Sequence, residues 1–411
     1  MPIEESRMDA GFKAYRDGTH RTVSPADTIA RIRPLMGTMG ITRVANVTGL
    51  DRIGIPVVMV CRPNSRSVAV SQGKGLDLDA ARASGLMESV ETWHAERISL
   101  PLKFGSFNDL KETHALVDVE TLPRVEGSRY RADLPMLWIE GRDICSDATT
   151  WLPYELVHSN YTLPSPPGHG CFPASTNGLA SGNHGLEAAC HAVCEIIERD
   201  STSIWHQLSR SRRVETRLDL DTVDDEACRD ALERLHRAGV RVFAWDTTTD
   251  IGVPSFYCFI AENDSSSGHL GAGAGCHPTK QIALLRALTE AVQTRLTYIS
   301  GSRDDLMPGE FTRSGLLEKH QAARALIAHD KTFRDFSDIQ SREFETFEAD
   351  LQWLRERLES VGIGSIFVVD LTRPELGIPV VRAVVPGLEA PHDEDDYVPG
   401  ARALAAREGA R

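Results

Sequence analysis

Three helix-forming stretches of this chain are apolar almost all round, yet each carries acids on one narrow face. They are Ala80–Glu91 (AARASGLMESVE), Leu186–Glu198 (LEAACHAVCEIIE) and Ile282–Gln293 (IALLRALTEAVQ). In the middle one, Glu187, Glu195 and Glu198 fall within roughly 80° of one another at the helical rotation per residue. A helix that is hydrophobic on every side is normally buried. Unpaired carboxylates inside a core cost several kcal/mol each, so these acids require cations. An oxygen-rich cluster of this kind suits Mg²⁺, which commonly shares its coordination with nucleotide phosphates. The bland alternative is three surface helices with solvated acidic stripes, and the apolar intervening positions argue against it.

An internal repeat gives these helices a common setting. The stretches MGTMGITRVANVTGLDRIGIPVVMVC, HRAGVRVFAWDTTTDIGVPSFYCFIA and ESVGIGSIFVVDLTRPELGIPVVRAVV each run glycine, strand, polar turn, Gly-x-Pro, strand. The equivalent pairs are Gly54 and Pro56, Gly252 and Pro254, Gly377 and Pro379. Proline at the first residue of a strand removes a donor that the ladder does not yet need. Glycine-bearing segments then introduce the acidic helices and are expected to be turns: Gln72–Gly75, Ser181–Asn183 and Gly271–His277. Counted from Gly75, Gly182 and His277, the residues Glu88, Glu195 and Glu290 each lie thirteen positions on. In this frame Glu91, Glu198 and Gln293 are also equivalent. The pattern predicts an α/β fold in which strand pairs back helices that converge on one site.

No Pro/Gly/Ser-rich linker interrupts the 411 residues, which favours one domain over 1–411 with its core at about 20–389. Residues 1–30 look peripheral, and the charged tail at 390–411 is expected to dock or remain mobile. The net charge of −14 argues against coating nucleic acid or an anionic membrane. No run approaches the roughly 18 apolar residues of a membrane span, and the polar N-terminus is unlike a secretory signal. Eight scattered cysteines suit a reducing cytoplasm better than a disulfide framework. Cys190 and Cys194 share a helix face, but no second ligand pair follows at zinc-site spacing, so structural cysteines are expected.

Other local signals divide between function and structure. Lys74, in GKG, lacks the GxxxxGK[ST] spacing of a P-loop; it is either a turn lysine or a phosphate contact before a helix. The GAGAG run lacks the acid that a dinucleotide fold requires. Arg286 and Glu290, at i and i+4, form a helix-surface ion pair or else divide between phosphate and metal. Arg199 follows Glu198 and is placed to serve the same anion.

The segments ASGLMESVETWHAE, GLASGNHGLEAACHAVCEIIERD and LLRALTEAVQTRL…SRDD resemble the three nucleotide-binding segments of the YcaO family, with similarity from Arg21 to about Glu389. The resemblance implies ATP and Mg²⁺ as cofactors and phosphorylation of a peptide backbone amide oxygen. A neighbouring Cys, Ser or Thr then gives an azoline, or sulfide gives a thioamide. Position by position it places Glu88, Glu91, Glu187, Glu195, Glu198 and Glu290 around metal and ATP, and Asn183, Arg199 and Arg286 on nucleotide or phosphate. Arg21, Thr28, Lys74 and Ser84 correspond to positions near the nucleotide.

The chain lacks the Pro-x-Pro-x-Pro ending common in azoline-forming members, ending instead in REGAR, and no leader-binding domain precedes the similarity. Peptide recognition is therefore expected in a separate protein. The opening GTHRTVSP…GIPV resembles members paired with a TfuA-like protein, including thioamide-forming systems. The resemblance thus implies a peptide or protein substrate, a TfuA-like partner and a homodimer as in relatives, with thioamidation ahead of azoline formation. A nucleotide-binding scaffold without turnover is the alternative of a different class; retention of every acid position speaks against it.

Overall fold

The computed structural model describes residues 10–262, 270–312, 334–393 and 396–408, with isolated positions between 314 and 327. Three antiparallel sheets organise these residues. Strands β1 (Arg43–Asn46), β2 (Val57–Cys61) and β3 (Val70–Lys74) form the first and lead into helix α2 (Leu78–Ala95), which follows α1 (Pro25–Ile32). A larger sheet has the order β4 (Leu102–Gly105), β5 (Met136–Asp143), β11 (Phe367–Asp370), β12 (Val380–Val384), β7 (Leu179–Ser181), with β6 (Thr149–Pro153) paired to β5. Helix α3 (Gly185–Gln207) follows β7. After α4 (Glu226–Arg237), strands β8 (Val240–Asp246), β9 (Ser255–Glu262) and β10 (Gly271–Cys276) form the third sheet and lead into α5 (Lys280–Ser300). Helices α6 (Phe347–Glu359) and α7 (Ala401–Glu408) complete the elements used below.

The three repeats fold in one register. The residue after each proline faces the last residue of the strand that feeds an acidic helix: Val57 opposite Lys74, Ser255 opposite Cys276, Val380 opposite Ser181. The corner between the first two strands is built the same way each time. Asn46, Asp246 and Asp370 accept from the backbone N–H of Thr48, Thr248 and Thr372 at 3.1, 3.0 and 2.9 Å. Each threonine Oγ1 in turn accepts, at 3.1 Å, the N–H of the residue after the proline. An Asx-turn thus hands its threonine to the second strand as a cap. Gly54, Gly252 and Gly377 carry φ of +76°, +73° and +64° in this corner, a conformation that side chains disfavour. Finally, the carbonyls of Pro56, Pro254 and Pro379 accept from the N–H of Gly75, His277 and Gly182. These are the three positions from which the thirteen-residue spacing runs.

The third unit is permuted. Its helix-feeding strand β7 and helix α3 precede its strand pair β11–β12 in the chain, with the third sheet and α5 lying between them, and the unit closes only through β12–β7 pairing. The glycine-bearing segments at 72–75 and 271–277 lie in or at the ends of strands β3 and β10 rather than in turns, and Ser181 ends strand β7. Packing explains the difference. A Cβ on Gly275 would lie 2.0 Å from the Ala283 carbonyl oxygen and 2.7 Å from the Ala287 nitrogen. A Cβ on Gly73 would lie 2.0 Å from the Ala81 carbonyl oxygen and 2.1 Å from the Gly85 nitrogen. The GAGAG run is therefore a strand stripped of side chains so that helix backbone can lie directly on it.

The cores follow these contacts. Val58, Val60, Leu86 and Val90 join Trp138 and Val380 in one cluster; Leu284, Leu288 and Val292 join Phe256 and Leu235 in a second; Ala188, Ile196 and Ile197 join Val381 and Leu354 in a third.

Neither chain end is peripheral where it is described. Lys13 is buried with Nζ 2.6 Å from Asp350 Oδ2, and residues 17–28 reach the central cavity. In the tail, α7 is held by Arg402, whose Nε lies 3.0 Å from Asp200 Oδ1 and whose Nη2 lies 2.6 Å from Asp250 Oδ1. The six most enclosed cysteines, Cys190 and Cys194 among them, are buried and free. No helix among the described residues is long and apolar enough to cross a membrane.

The strand-on-helix packing predicts an asymmetric response to alanine. Gly275→Ala forces the α5 backbone away and should cost at least about 1–3 kcal/mol. Gly364→Ala meets nothing within 4 Å and should leave stability near wild type. Denaturant midpoints of the two variants check this; equal midpoints would contradict the packing account.

Candidate active site

The three acidic helices present their glutamates to one cavity of about 800 Å³. All thirteen residues singled out from the sequence line it: Arg21, Thr28, Lys74, Ser84, Glu88, Glu91, Asn183, Glu187, Glu195, Glu198, Arg199, Arg286 and Glu290. Solvated acidic stripes are thereby ruled out, since Glu187 and Glu198 are buried and the remaining glutamates half-buried.

The repeat positions one glutamate per helix in the same way. Glu88 Oε1 accepts from the Gln72 N–H at 3.3 Å, Glu195 Oε1 from Gly178 at 3.2 Å, and Glu290 Oε1 from Ala274 at 3.3 Å. Each carboxylate is thus pinned by backbone at a strand while its second oxygen is left for another partner. Other bonds tie the units together. Glu91 Oε1 accepts from the Ser181 N–H at 2.8 Å and the Ser181 hydroxyl at 2.7 Å, joining α2 to β7. Lys74 Nζ lies 2.7 Å from Glu290 Oε2, joining the first unit to α5. The N-terminal segment closes the side near α3: Glu187 Oε2 accepts from the Thr22 N–H and hydroxyl at 3.0 and 2.9 Å, and Arg21 Nε lies 3.6 Å from Glu187 Oε1. Thr28 donates to Asn183 Oδ1 at 3.2 Å.

The helix-surface ion pair between Arg286 and Glu290 is replaced by longer-range partners. Glu290 takes Lys74, and Arg286 Nη2 turns to His191, 3.1 Å from Nδ1.

The electrostatics are those of a site short of positive charge. Burial pushes Glu88 up to about 7, against the opposing pull of Arg303. It pushes Glu91 up to about 8 despite the Ser181 bonds, with Glu88 and Glu195 adding repulsion. Glu198 rises to about 7 through burial and the nearby Glu290, with Arg199 opposing. Glu195 is raised by burial as well. Burial would also raise Glu290, but Lys74 and Arg199 outweigh it and hold this carboxyl below its usual range. The Arg199 guanidinium, although desolvated, is held above its usual value by Glu198, Glu290, Glu195 and Asp393. Clustered carboxylates that neutral water cannot keep ionised are what a divalent cation would satisfy. The donor set is all oxygen, which fits Mg²⁺ better than a transition metal. Arg199, Arg286 and Lys74 beside it supply the cations that a polyphosphate needs.

A second grouping, His20, His277 and Asp350, brings its ligand atoms within 4.8 Å of one another. It does not fit a metal. His277 Nδ1 accepts the Thr279 N–H, which leaves the ring proton on Nε2, and Lys13 already occupies Asp350.

The structure adds residues in or directly behind the lining that sequence reasoning missed. Thr22 and Ser181 bond glutamates directly, Arg303 opposes the charge on Glu88, and His392 and Asp393 arrive from the tail. Thr22, Ser181 and Arg303 lie inside or beside the quoted motifs. No periodicity pointed to His392.

A family model described as YcaO cyclodehydratase, ATP- and Mg²⁺-binding, matches residues 72–389. A protein from the tfuA 3′ region of Rhizobium leguminosarum bv. trifolii is 37% identical over 98% of this chain and 96% of its own length. A protein of Methanothermobacter thermautotrophicus is 34% identical over 90% of this chain and 95% of its own. Among solved structures, YcaO from Methanopyrus kandleri, bound with AMPPCP and Mg²⁺, superposes with a TM-score of 0.74 at 24% identity, covering 95% of this chain and 98% of that one. A heterocyclase in complex with substrate and cofactor gives 0.76 at 21% identity, over 92% of this chain and 55% of that one. The match runs from the first glycine-bearing strand through all three acidic helices and the permuted strand pair, and the chain belongs to the YcaO family.

Proposed function

We propose that this protein uses ATP to phosphorylate a backbone amide oxygen of a peptide or protein and passes the activated carbon to a nucleophile, most directly sulfide, to make a thioamide. The observation that carries this reading is the convergence of six glutamates from three helices, with Arg199 and Arg286, on one cavity. An amide carbonyl is a poor electrophile because the nitrogen lone pair delocalises into it. Phosphorylation turns the oxygen into a leaving group. Phosphoryl transfer is catalysed mainly by positioning and charge neutralisation, and Mg²⁺ supplies that neutralisation on the triphosphate when bound. The chain's own residues do the rest. Glu88, Glu195 and Glu290, pinned by backbone N–H groups in or next to the feeding strands, together with Glu91, Glu187 and Glu198 would hold the metal ions. Arg199 and Arg286 would take the phosphates, and Arg21, Thr28, Lys74, Ser84 and Asn183 would bound the nucleotide.

A TfuA-like protein is the proposed partner, supported by the relative from the tfuA 3′ region. Azoline formation from Cys, Ser or Thr is the second reading, favoured by the cyclodehydratase description of the family and the heterocyclase likeness. Mass spectrometry of peptides co-expressed with this protein and a TfuA-like protein separates them. Thioamidation gains the mass difference between sulfur and oxygen, whereas azoline formation loses water. Loss of water alone would overturn the thioamide reading.

Glu195→Gln and Glu198→Gln should each lower peptide-stimulated ATP turnover by about 10²-fold or more, with melting temperature at or above wild type because a strained buried carboxyl is removed. Wild-type turnover in both variants would sink the assignment.

Proton linkage gives an independent check. Glu88, Glu91 and Glu198, with values raised to about 7, about 8 and about 7, are largely protonated at pH 6 and must ionise to bind a cation. Mg²⁺-nucleotide binding at pH 7 should therefore release protons, and affinity should rise from pH 6 to 8.5. Calorimetry in buffers of different ionisation enthalpy reads this; proton uptake would contradict it.

A further inference from the structure

We propose that His392, delivered to the cavity by the C-terminal segment, is the proton-transfer group for amide activation, a role that rests on the reading above. The segment is anchored before it enters. Glu389 is buried; its Oε2 accepts from Tyr397 Oη at 2.9 Å and Gly400 N at 2.7 Å, and its Oε1 accepts from Ala403 N at 3.0 Å. The Glu389 N–H donates to Asp200 Oδ1 at 3.0 Å, and the Ala390 carbonyl accepts from Ser203 Oγ at 2.6 Å, both on α3. Two residues further on, His392 lines the same cavity as Glu198 and Arg199.

The ring is held without being used. It stacks on His206 with centroids 3.8 Å apart and planes at 22°, and Tyr257 meets His206 edge-on at 5.5 Å. Nδ1 of His392 and Nε2 of His206 are buried without a hydrogen-bond partner. Two imidazoles in this contact cannot both carry charge. Burial lowers the affinity of His392 for a proton, Arg199 adds to that effect and Asp393 opposes it. Burial, His392 and Arg213 hold His206 down at about 3. A neutral imidazole beside the phosphate-binding arginine is a base in waiting.

The reaction requires one. As the amide oxygen bonds to the γ-phosphorus and the bond to the ADP oxygen breaks, the amide nitrogen becomes acidic. Its N–H electron pair completes the C=N bond of the phosphorylated imidate while the proton passes to the imidazole. The proton leaves to solvent when the nucleophile has attacked.

The test uses the full-length protein with a TfuA-like protein and a mixed pool of short synthetic peptides, comparing wild type with His392→Gly. The expected result is a fall in peptide-stimulated kcat of about 10²–10⁴-fold, with ATP affinity unchanged and recovery of about tenfold or more on adding imidazole. A kcat within about threefold of wild type, or a fall that imidazole does not rescue, overturns the role of His392. A wild type whose ATP turnover ignores the peptides overturns amide activation itself, so the two failures are distinct.

Discussion

Six carboxylates crowded into one cavity repel one another and lose hydration together, and the rest of the structure answers that constraint. Burial, with repulsion between neighbouring carboxylates added, raises four of them, three to near or above neutrality. The fold tolerates this because no glutamate is left to a loop: each sits on a long helix, and one in each helix is pinned by a backbone N–H in or next to a feeding strand. The cations at hand, Lys74, Arg199, Arg286, Arg303 and Arg21, are five against six carboxylates and lie around them. A site arranged in this way is stable enough to fold and strained enough to favour a bound divalent ion with its phosphates.

The glycines of the feeding strands serve that arrangement. Removing side chains from β10 brings the α5 backbone onto the strand, which brings Glu290 within reach of the Ala274 N–H. The same logic operates where Gly73 meets α2. The Asx-Thr corner and its positive-φ glycine fix where each strand pair ends, and the proline carbonyl fixes where the helix-feeding strand ends. One local recipe used three times thus sets three glutamates around a common centre.

Much of this was legible in the sequence because it is periodic. The acidic helices, the Gly-x-Pro corners and the thirteen-residue spacing are local patterns, and the lining residues followed from them and from the family resemblance. What was not legible depends on tertiary contact. GAGAG looked like a turn, since glycine's commonest use is conformational and nothing local signals a helix pressed against a strand. Arg286 and Glu290 suited an i, i+4 pair, but they take partners across unit boundaries instead, His191 and Lys74 respectively. The permuted unit hid the link between β12 and α3, which are distant in the chain. The ends looked peripheral because Thr22 and His392 carry no periodic signal; only folding brings Thr22 to Glu187 and His392 to the cavity.

The most direct test is a crystal structure of the wild-type protein with a non-hydrolysable ATP analogue and Mn²⁺ in place of Mg²⁺, read by anomalous scattering. The account predicts Mn²⁺ peaks within the cavity, bounded by glutamates from α2, α3 and α5, with the triphosphate against Arg199 and Arg286. Nucleotide bound elsewhere, or a cavity that takes nucleotide with no metal among these carboxylates, would contradict it.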